Sequence, residues 1–229
     1  NGLKGLLVEG KKRGGVCLNE GCVPSKTLLQ AAKTYHQTLH GETFGVEADG
    51  VRFNLSKAHA HKNQVMDRMR DGIAGLMKKY KVEVAFGRAT LSAGPAVTVD
   101  GETHEADNVL VCTGSSPAKP PIPGIDADHV VDSSGILELP ELPKRLVIVG
   151  GGVIGCEFAC VFGSVGVPVT VIEALPEICP GVDPEVTAVL RKELEKKSIT
   201  FRVGAKVDEI GDNEVKFTLD GETQSVPGD

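Results

Sequence analysis

Two cysteines five positions apart, Cys17 and Cys22, lie in the run Gly14-Gly15-Val16-Cys17-Leu18-Asn19-Glu20-Gly21-Cys22-Val23-Pro24-Ser25-Lys26. Pro24 suits the first position of a helix, where a missing N–H costs nothing. The residues that follow, Ser25 to Gln37, are rich in helix formers and hold no glycine or proline. Cys22 is therefore predicted at a helix N-terminus, where the positive end of the helix dipole stabilises a thiolate. Lys26 adds a full positive charge in the same turn. Gly14, Gly15 and Gly21 allow backbone, or a flat ring, to approach the sulfurs closely. Such a pair suits reversible opening and closing as a disulfide. A zinc half-site shows the same spacing, but no second ligand pair follows at a suitable distance. A structural disulfide also fits, although six cysteines in 229 residues make no dense framework.

Elements that could position this chemistry are visible on both sides. Leu3 to Val8 is a short apolar run ending in Glu9, the pattern of a buried parallel strand. Leu55 to Tyr80 reads as one long helix with Val65, Met69, Ile73 and Leu76 on an apolar face and Lys62, Asp67, Arg68, Arg70 and Asp71 on others. Gly41 to Phe53, before it, reads as loop with short extended pieces. Val82–Phe86, Ala89–Leu91, Val97–Val99 and Asn108–Cys112 read as short strands, with Asp100-Gly101 as a hairpin turn. A proline-rich connector runs from Ser116 to Gly124, and Pro140 and Pro143 bracket the entry to the next unit. These features place a domain boundary near Leu142, dividing the chain into 1–142 and 143–229.

The second unit carries the denser motif. Leu146–Val149 is an apolar strand, followed by Gly150-Gly151-Gly152-Val153-Ile154-Gly155, a helix to Val165, and a second strand Val169–Ile172 ending in Glu173. Strand, G-x-G-x-x-G, helix, strand and acid in that order form a dinucleotide-binding fingerprint. Gly150 makes the turn, Gly152 lets backbone reach a pyrophosphate, Gly155 allows helix–strand packing, and the helix N-terminus holds phosphate. Glu173 would accept from both adenine-ribose hydroxyls and repel a 2′-phosphate, and no arginine follows it closely, so NAD is expected rather than NADP. Asp183 and Pro184 start a further helix to Lys197. Strands Ile199–Val203, Val207–Ile210 and Val215–Leu219 then follow, with Asp220-Gly221 as a turn. The expected fold class is α/β, with two Rossmann-like, parallel-sheet nucleotide-binding domains, both incomplete in this chain.

Composition agrees with a glycine-rich α/β protein: 28 glycines and 4% aromatic residues. A net charge of −6 suggests no nucleic-acid partner, and no apolar run reaches membrane-spanning length. No signal peptide is visible, although the chain opens in mid-pattern. Cys112, Cys156, Cys160 and Cys179 show no partner pattern, and Cys156 and Cys160 are expected as buried thiols on one helix face. His59 and His61 point to different faces of a helix and make poor joint metal ligands, so no metal site is expected.

The cysteine run resembles the redox-active segment of the pyridine nucleotide–disulfide oxidoreductases, and within them the branch that oxidises dihydrolipoyl groups. The resemblance extends from Glu9 to about Leu219. It implies a homodimeric flavoenzyme using FAD and NAD, in the bacterial cytoplasm or the mitochondrial matrix. Its partners would be lipoyl-bearing acyltransferases or the glycine-cleavage carrier protein. By the same resemblance Cys17 is the thiol that meets substrate, and Cys22 the sulfur nearest the flavin. Lys26 lies near the reactive ring nitrogen, and Glu157 pairs with that lysine beside the nicotinamide. Glu9 contacts the FAD ribose, Gly14 and Gly15 border the flavin, and Thr113-Gly114 lies against the flavin nucleotide, with Cys112 where the family usually has alanine. The glycine loop for the FAD pyrophosphate is expected before residue 1. A dimerisation domain with a His–Glu acid–base pair is expected after residue 229, so turnover by these residues alone is not expected. Glutathione reductases differ in preferring NADP and Pro-Lys-Lys after the second cysteine. Mercuric reductases share Pro-Ser-Lys but add a C-terminal cysteine pair. A non-catalytic NAD-binding redox sensor is the reading from another class.

Overall fold

The computed structural model describes residues 3–229. Contacts divide the chain into two compact units, one ending at Pro24 and resuming over Asn63–Ser116, the other made of Ser25–Lys62 and Pro117–Asp229. In the first unit β1 (Leu6–Glu9) pairs in parallel with β2 (Glu83–Phe86), Leu6 opposite Glu83 and Glu9 opposite Phe86. Parallel strands need a long connection. This one contains α1 (Gly15–Glu20), α2 (Cys22–Leu39), a 3-10 turn at Glu42–Phe44 and α3 (Leu55–Tyr80). The unit boundaries fall inside α2 and α3.

An antiparallel meander follows: β3 (Ala89–Ser92), β4 (Ala96–Val99) and β5 (Glu102–Glu105). Asp100 and Gly101 take φ of 48° and 86° between β4 and β5, both in the left-handed region that a two-residue hairpin turn demands. The sequence Glu-Thr-His-Glu of β5 lacks apolar alternation, so only its pairing reveals it. The strand expected over Asn108–Cys112 is absent. Residues 108–122 have no regular secondary structure, and Leu110 is 87% exposed. An apolar run becomes a strand only where a neighbour takes its backbone hydrogen bonds, and no described strand pairs with this one.

In the second unit β6 (Leu146–Val149), β7 (Val169–Glu173) and β8 (Ile199–Val203) form a parallel sheet in that order. The connections carry α4 (Val153–Ser164) and α5 (Pro184–Glu195). The Asp183 carboxylate caps α5 by accepting the Glu185 N–H at 2.8 Å. Phe158, Ala159 and Phe162 of α4 share one core with Val169 and Val171 of β7 and with Leu28 and Ala32 of α2. A second meander, β9 (Lys206–Ile210), β10 (Glu214–Leu219) and β11 (Glu222–Pro227), covers a smaller core centred on Phe217. No helix among the described residues is long and apolar enough to cross a membrane.

One residue of α3 departs from its expected place on a polar face. The Lys62 side chain is fully buried, and its Nζ donates to the Leu137 carbonyl and to Glu138 Oε1, both at 2.6 Å. Periodicity treats lysine as a surface residue; its long apolar stem can be buried when the ammonium finds acceptors. Conversely Met69 and Leu76, read as core, are 45% and 48% exposed. Lys62→Ala is expected to destabilise the fold by roughly 3 kcal/mol, from an emptied channel and an orphaned carbonyl. Urea unfolding checks this, and a midpoint unchanged from wild type would show that the buried ammonium is not needed.

Candidate redox and dinucleotide sites

Cys17 and Cys22 are joined as a disulfide with Cα atoms 4.6 Å apart, within the normal reach of such a bridge. Cys17 lies in α1, Cys22 opens α2, and Gly21 between them takes φ −143° and ψ −108°. A Cβ on Gly21 would stand 3.2 Å from the Val16 carbonyl oxygen and 3.4 Å from the Cys17 Cα, so the bridged turn leaves little room for a side chain. Both cysteines are exposed, open to an incoming dithiol.

The short helix α1 is not anticipated by the sequence pattern, because its cap and its first residue are left-handed glycines, Gly14 at φ 111° and Gly15 at φ 66°. Asn19 holds it. Its Nδ2 donates to the carbonyls of Gly15 at 2.9 Å and Arg13 at 3.1 Å, while its Oδ1 accepts from Arg70 Nη1 at 2.9 Å. Arg70 is in turn paired with Asp67. Asn19 is thus a positioning residue that reasoning from the cysteines passed over. The available signal was its type, since short amides compete for nearby backbone groups.

Lys26 lies one turn further along α2 and is engaged by Glu157 of α4, 131 positions away. Its Nζ donates to Oε1 at 2.6 Å and to Oε2 at 2.9 Å. The side chains are 57% and 26% exposed, so the pair contributes at most about 1 kcal/mol to stability. It fixes a charge in place.

The glycine loop joins β6 to α4. Gly150 takes φ 105°. A Cβ on Gly150 or Gly152 would meet nothing within 4 Å, whereas one on Gly155 would lie 2.1 Å from the Gly150 carbonyl oxygen. Open space in front of a helix N-terminus fits a pyrophosphate, and the close approach behind it fits helix–strand packing. Glu173 is buried at the end of β7, where Oε2 accepts the Gly151 N–H at 2.6 Å and Oε1 the Leu175 N–H at 2.7 Å. Each oxygen keeps a further lone pair for a hydroxyl donor. In the first unit Glu9 ends β1 and accepts the Lys11 N–H at 2.8 Å. Thr113 and Gly114 lie in the irregular segment, with Gly114 at φ 73° and a Cβ position 3.2 Å from Val16 Cγ2. That places residue 114 against the redox segment.

All 229 residues match the family model described as pyridine nucleotide-disulphide oxidoreductase. The chain belongs to this family. It is 40% identical over its whole length to a dihydrolipoyl dehydrogenase of Acholeplasma laidlawii, of which it covers 69%. It is 42% identical to one of Thermus scotoductus over 90% of this chain and 44% of that protein. The solved structure of LpdA from Mycobacterium tuberculosis superposes with a TM-score of 0.84 at 26% identity, covering 98% of this chain and 51% of that one. The HOCl-induced flavoprotein disulfide reductase RclA from Escherichia coli gives 0.81 at 28%, covering 98% and 49%. Apart from the Acholeplasma protein, the chain spans about half the length of these relatives.

In this member of the pyridine nucleotide-disulphide oxidoreductases the remaining thiols are not all solitary. Cys112 is exposed and Cys160 half-buried, but the Cys156 and Cys179 sulfurs stand 3.7 Å apart. Burial pushes the Cys156 thiol up to about 12, with Cys179 and then Glu173 and Glu177 acting in the same direction. Cys156 is the buried free thiol expected of it, and the absence of a partner pattern in the sequence does not reveal this contact. The two cysteines are 23 residues apart and meet because β7 returns the chain to the glycine loop, a contact no local spacing encodes.

Proposed function

We propose that this chain carries the disulfide and dinucleotide sites of a flavin-dependent enzyme that oxidises protein-bound dihydrolipoyl groups and delivers the electron pair to NAD⁺. The observation that carries the reading is the exposed Cys17–Cys22 disulfide at the junction of α1 and α2. Kinship to dihydrolipoyl dehydrogenases at 36–42% identity supports it. In this reading one thiolate of the dihydrolipoyl group attacks the Cys17 sulfur and Cys22 leaves as thiolate. The second substrate sulfur then attacks the first, closing the lipoyl disulfide and releasing Cys17. The substrate loses two electrons and two protons, and the protein disulfide becomes a dithiol. The dipole at the N-terminus of α2 favours the Cys22 thiolate.

FAD, when bound, would supply the two-electron carrier between this dithiol and a nicotinamide. The residues suited to hold it are Glu9, Gly14, Gly15, Lys26, Thr113 and Gly114. Gly150, Gly152, Gly155 and Glu173 are suited to hold NAD. Glu157 keeps the Lys26 ammonium from wandering. The division near Leu142 would then separate a flavin-binding domain, 1–142, from an NAD-binding one, 143–229; β6, α4, β7, α5 and β8 all follow it. A homodimer in the bacterial cytoplasm or mitochondrial matrix, served by lipoyl-bearing acyltransferase or glycine-cleavage carrier proteins, completes the reading.

Anaerobic visible spectroscopy tests it. Addition of dihydrolipoamide should bleach a bound flavin and NAD⁺ should restore it, and a protein whose flavin ignores dihydrolipoamide would overturn the assignment. In a protein that carries these residues within the full length of its relatives, Lys26→Ala should slow the NAD⁺-dependent recovery at least about tenfold while leaving the KM for dihydrolipoamide within about twofold. Normal recovery in stopped flow would show that Lys26 takes no part in delivering electrons to NAD⁺.

A further inference from the structure

Behind the glycine loop the chain keeps a second pair of sulfurs that the dithiol relay does not use. Cys156 stands in the first turn of α4 and Cys179 in the segment after β7, with only 5% and 4% of each exposed. Both grip one atom, the Gly151 carbonyl oxygen. The Cys156 thiol donates to it from 3.4 Å, and the Cys179 backbone N–H donates from 2.8 Å. On the other side the Gly151 N–H is held by the Glu173 carboxylate. A Cβ on Gly151 would stand 3.2 Å from Ile178 Cγ2, so the segment bearing Cys179 is packed onto the loop. Cys179 itself adopts φ 49°, a left-handed conformation that costs an ordinary residue about 1 kcal/mol or more and persists only where the surroundings impose it.

We propose that Cys156 and Cys179 form an oxidisable thiol pair, closed to a second disulfide by small hydroperoxides, and that closure shifts the Gly151 carbonyl and weakens dinucleotide binding. The sulfurs stand 3.7 Å apart, and bonding draws them to about 2.05 Å. One sulfur attacks the terminal peroxide oxygen, the O–O bond breaks and the first molecule of water or alcohol leaves, giving a sulfenic acid. The second sulfur then displaces the sulfenic oxygen as water, so two thiols lose two electrons and two protons to one peroxide. Closure consumes the S–H that bonds Gly151 and pulls Cys179, whose N–H bonds the same carbonyl. A buried sulfur admits only a small oxidant, and the raised Cys156 thiol keeps the pair reduced until oxidant is abundant.

The cross-link stands on the geometry alone, whereas its effect on binding rests on the dinucleotide reading. The test treats the purified protein with hydrogen peroxide, alkylates the remaining thiols, and maps the peptides by mass spectrometry. NADH affinity is measured by fluorescence before and after oxidation. The expected result is a Cys156–Cys179 linked peptide and an NADH Kd raised about tenfold, the loss of one well-made hydrogen bond in the loop. Cys179→Ser should give neither the linked peptide nor the peroxide sensitivity. Recovery of both cysteines as alkylated or separately oxidised residues in wild type would overturn the pair, whether or not the variant folds. A linked peptide with unchanged Kd would overturn the loop shift. Absence of NADH binding before oxidation would overturn the dinucleotide reading, and the peptide map would then decide the pair by itself.

Discussion

In a protein that carries these residues within the full length of its relatives, serine in place of Cys17 should lower dihydrolipoamide-dependent reduction of NAD⁺ by at least about a thousandfold, because a hydroxyl can neither exchange with a disulfide nor store the electron pair. Cys22→Ser should do the same. The size of the loss separates a working disulfide from a structural staple. A bridge closing so short a loop stabilises by only about 2 kcal/mol, and its removal would leave turnover of the surviving folded molecules intact. A Cys17→Ser protein that unfolds slightly more easily but still reduces NAD⁺ at a normal rate would reduce the bridge to that lesser role. A second readout guards against a trivial loss of flavin. The wild-type protein should release two titratable thiols per chain on brief exposure to dihydrolipoamide, and the variant none from this site.

The features legible in the sequence are those whose physics is local. Leu55–Tyr80 was legible because Val65, Met69, Ile73 and Leu76 recur at helical spacing, and in the structure the Asn54 Oδ1 accepts the Lys57 N–H at 2.9 Å just before its first turn. The order strand, glycines, helix, strand and acid revealed β6, α4 and β7, since each part has its own period or turn requirement. The cysteine motif, with its glycines and Pro24, pointed to the bridge. What stayed hidden depends on partners far along the chain. Lys62 is interior only because the Leu137 carbonyl and the Glu138 carboxylate arrive to receive it. The strand expected at Asn108–Cys112 has the right composition and no neighbour to pair with. Residues 15–20 become a helix because Asn19 is braced from Arg70, 51 positions later. Spacing identifies groups that act through the adjacent backbone, and it is silent on those completed by another element.

Two alanine substitutions in one loop should separate folding from binding. Gly155→Ala puts a Cβ 2.1 Å from the Gly150 carbonyl oxygen and 3.3 Å from Ile148 Cγ2. Neither neighbour is the free end of a long side chain, so α4 must move off β6, at an expected cost of about 2–4 kcal/mol. Gly152→Ala meets nothing within 4 Å, and its φ of −67° suits any residue. Its cost in stability should stay below about 1 kcal/mol, the difference between glycine and alanine at a helix N-cap. If the open space there receives a pyrophosphate, the added methyl occupies it, and NADH affinity should fall at least about tenfold. Thermal unfolding and NADH titration on the same two variants decide the matter. Gly155→Ala should lose stability first and binding as a consequence, while Gly152→Ala should lose binding alone. Full NADH affinity in a well-folded Gly152→Ala would show that the phosphates do not pass over this residue. The fingerprint would then describe how α4 packs on β6 and nothing about a ligand.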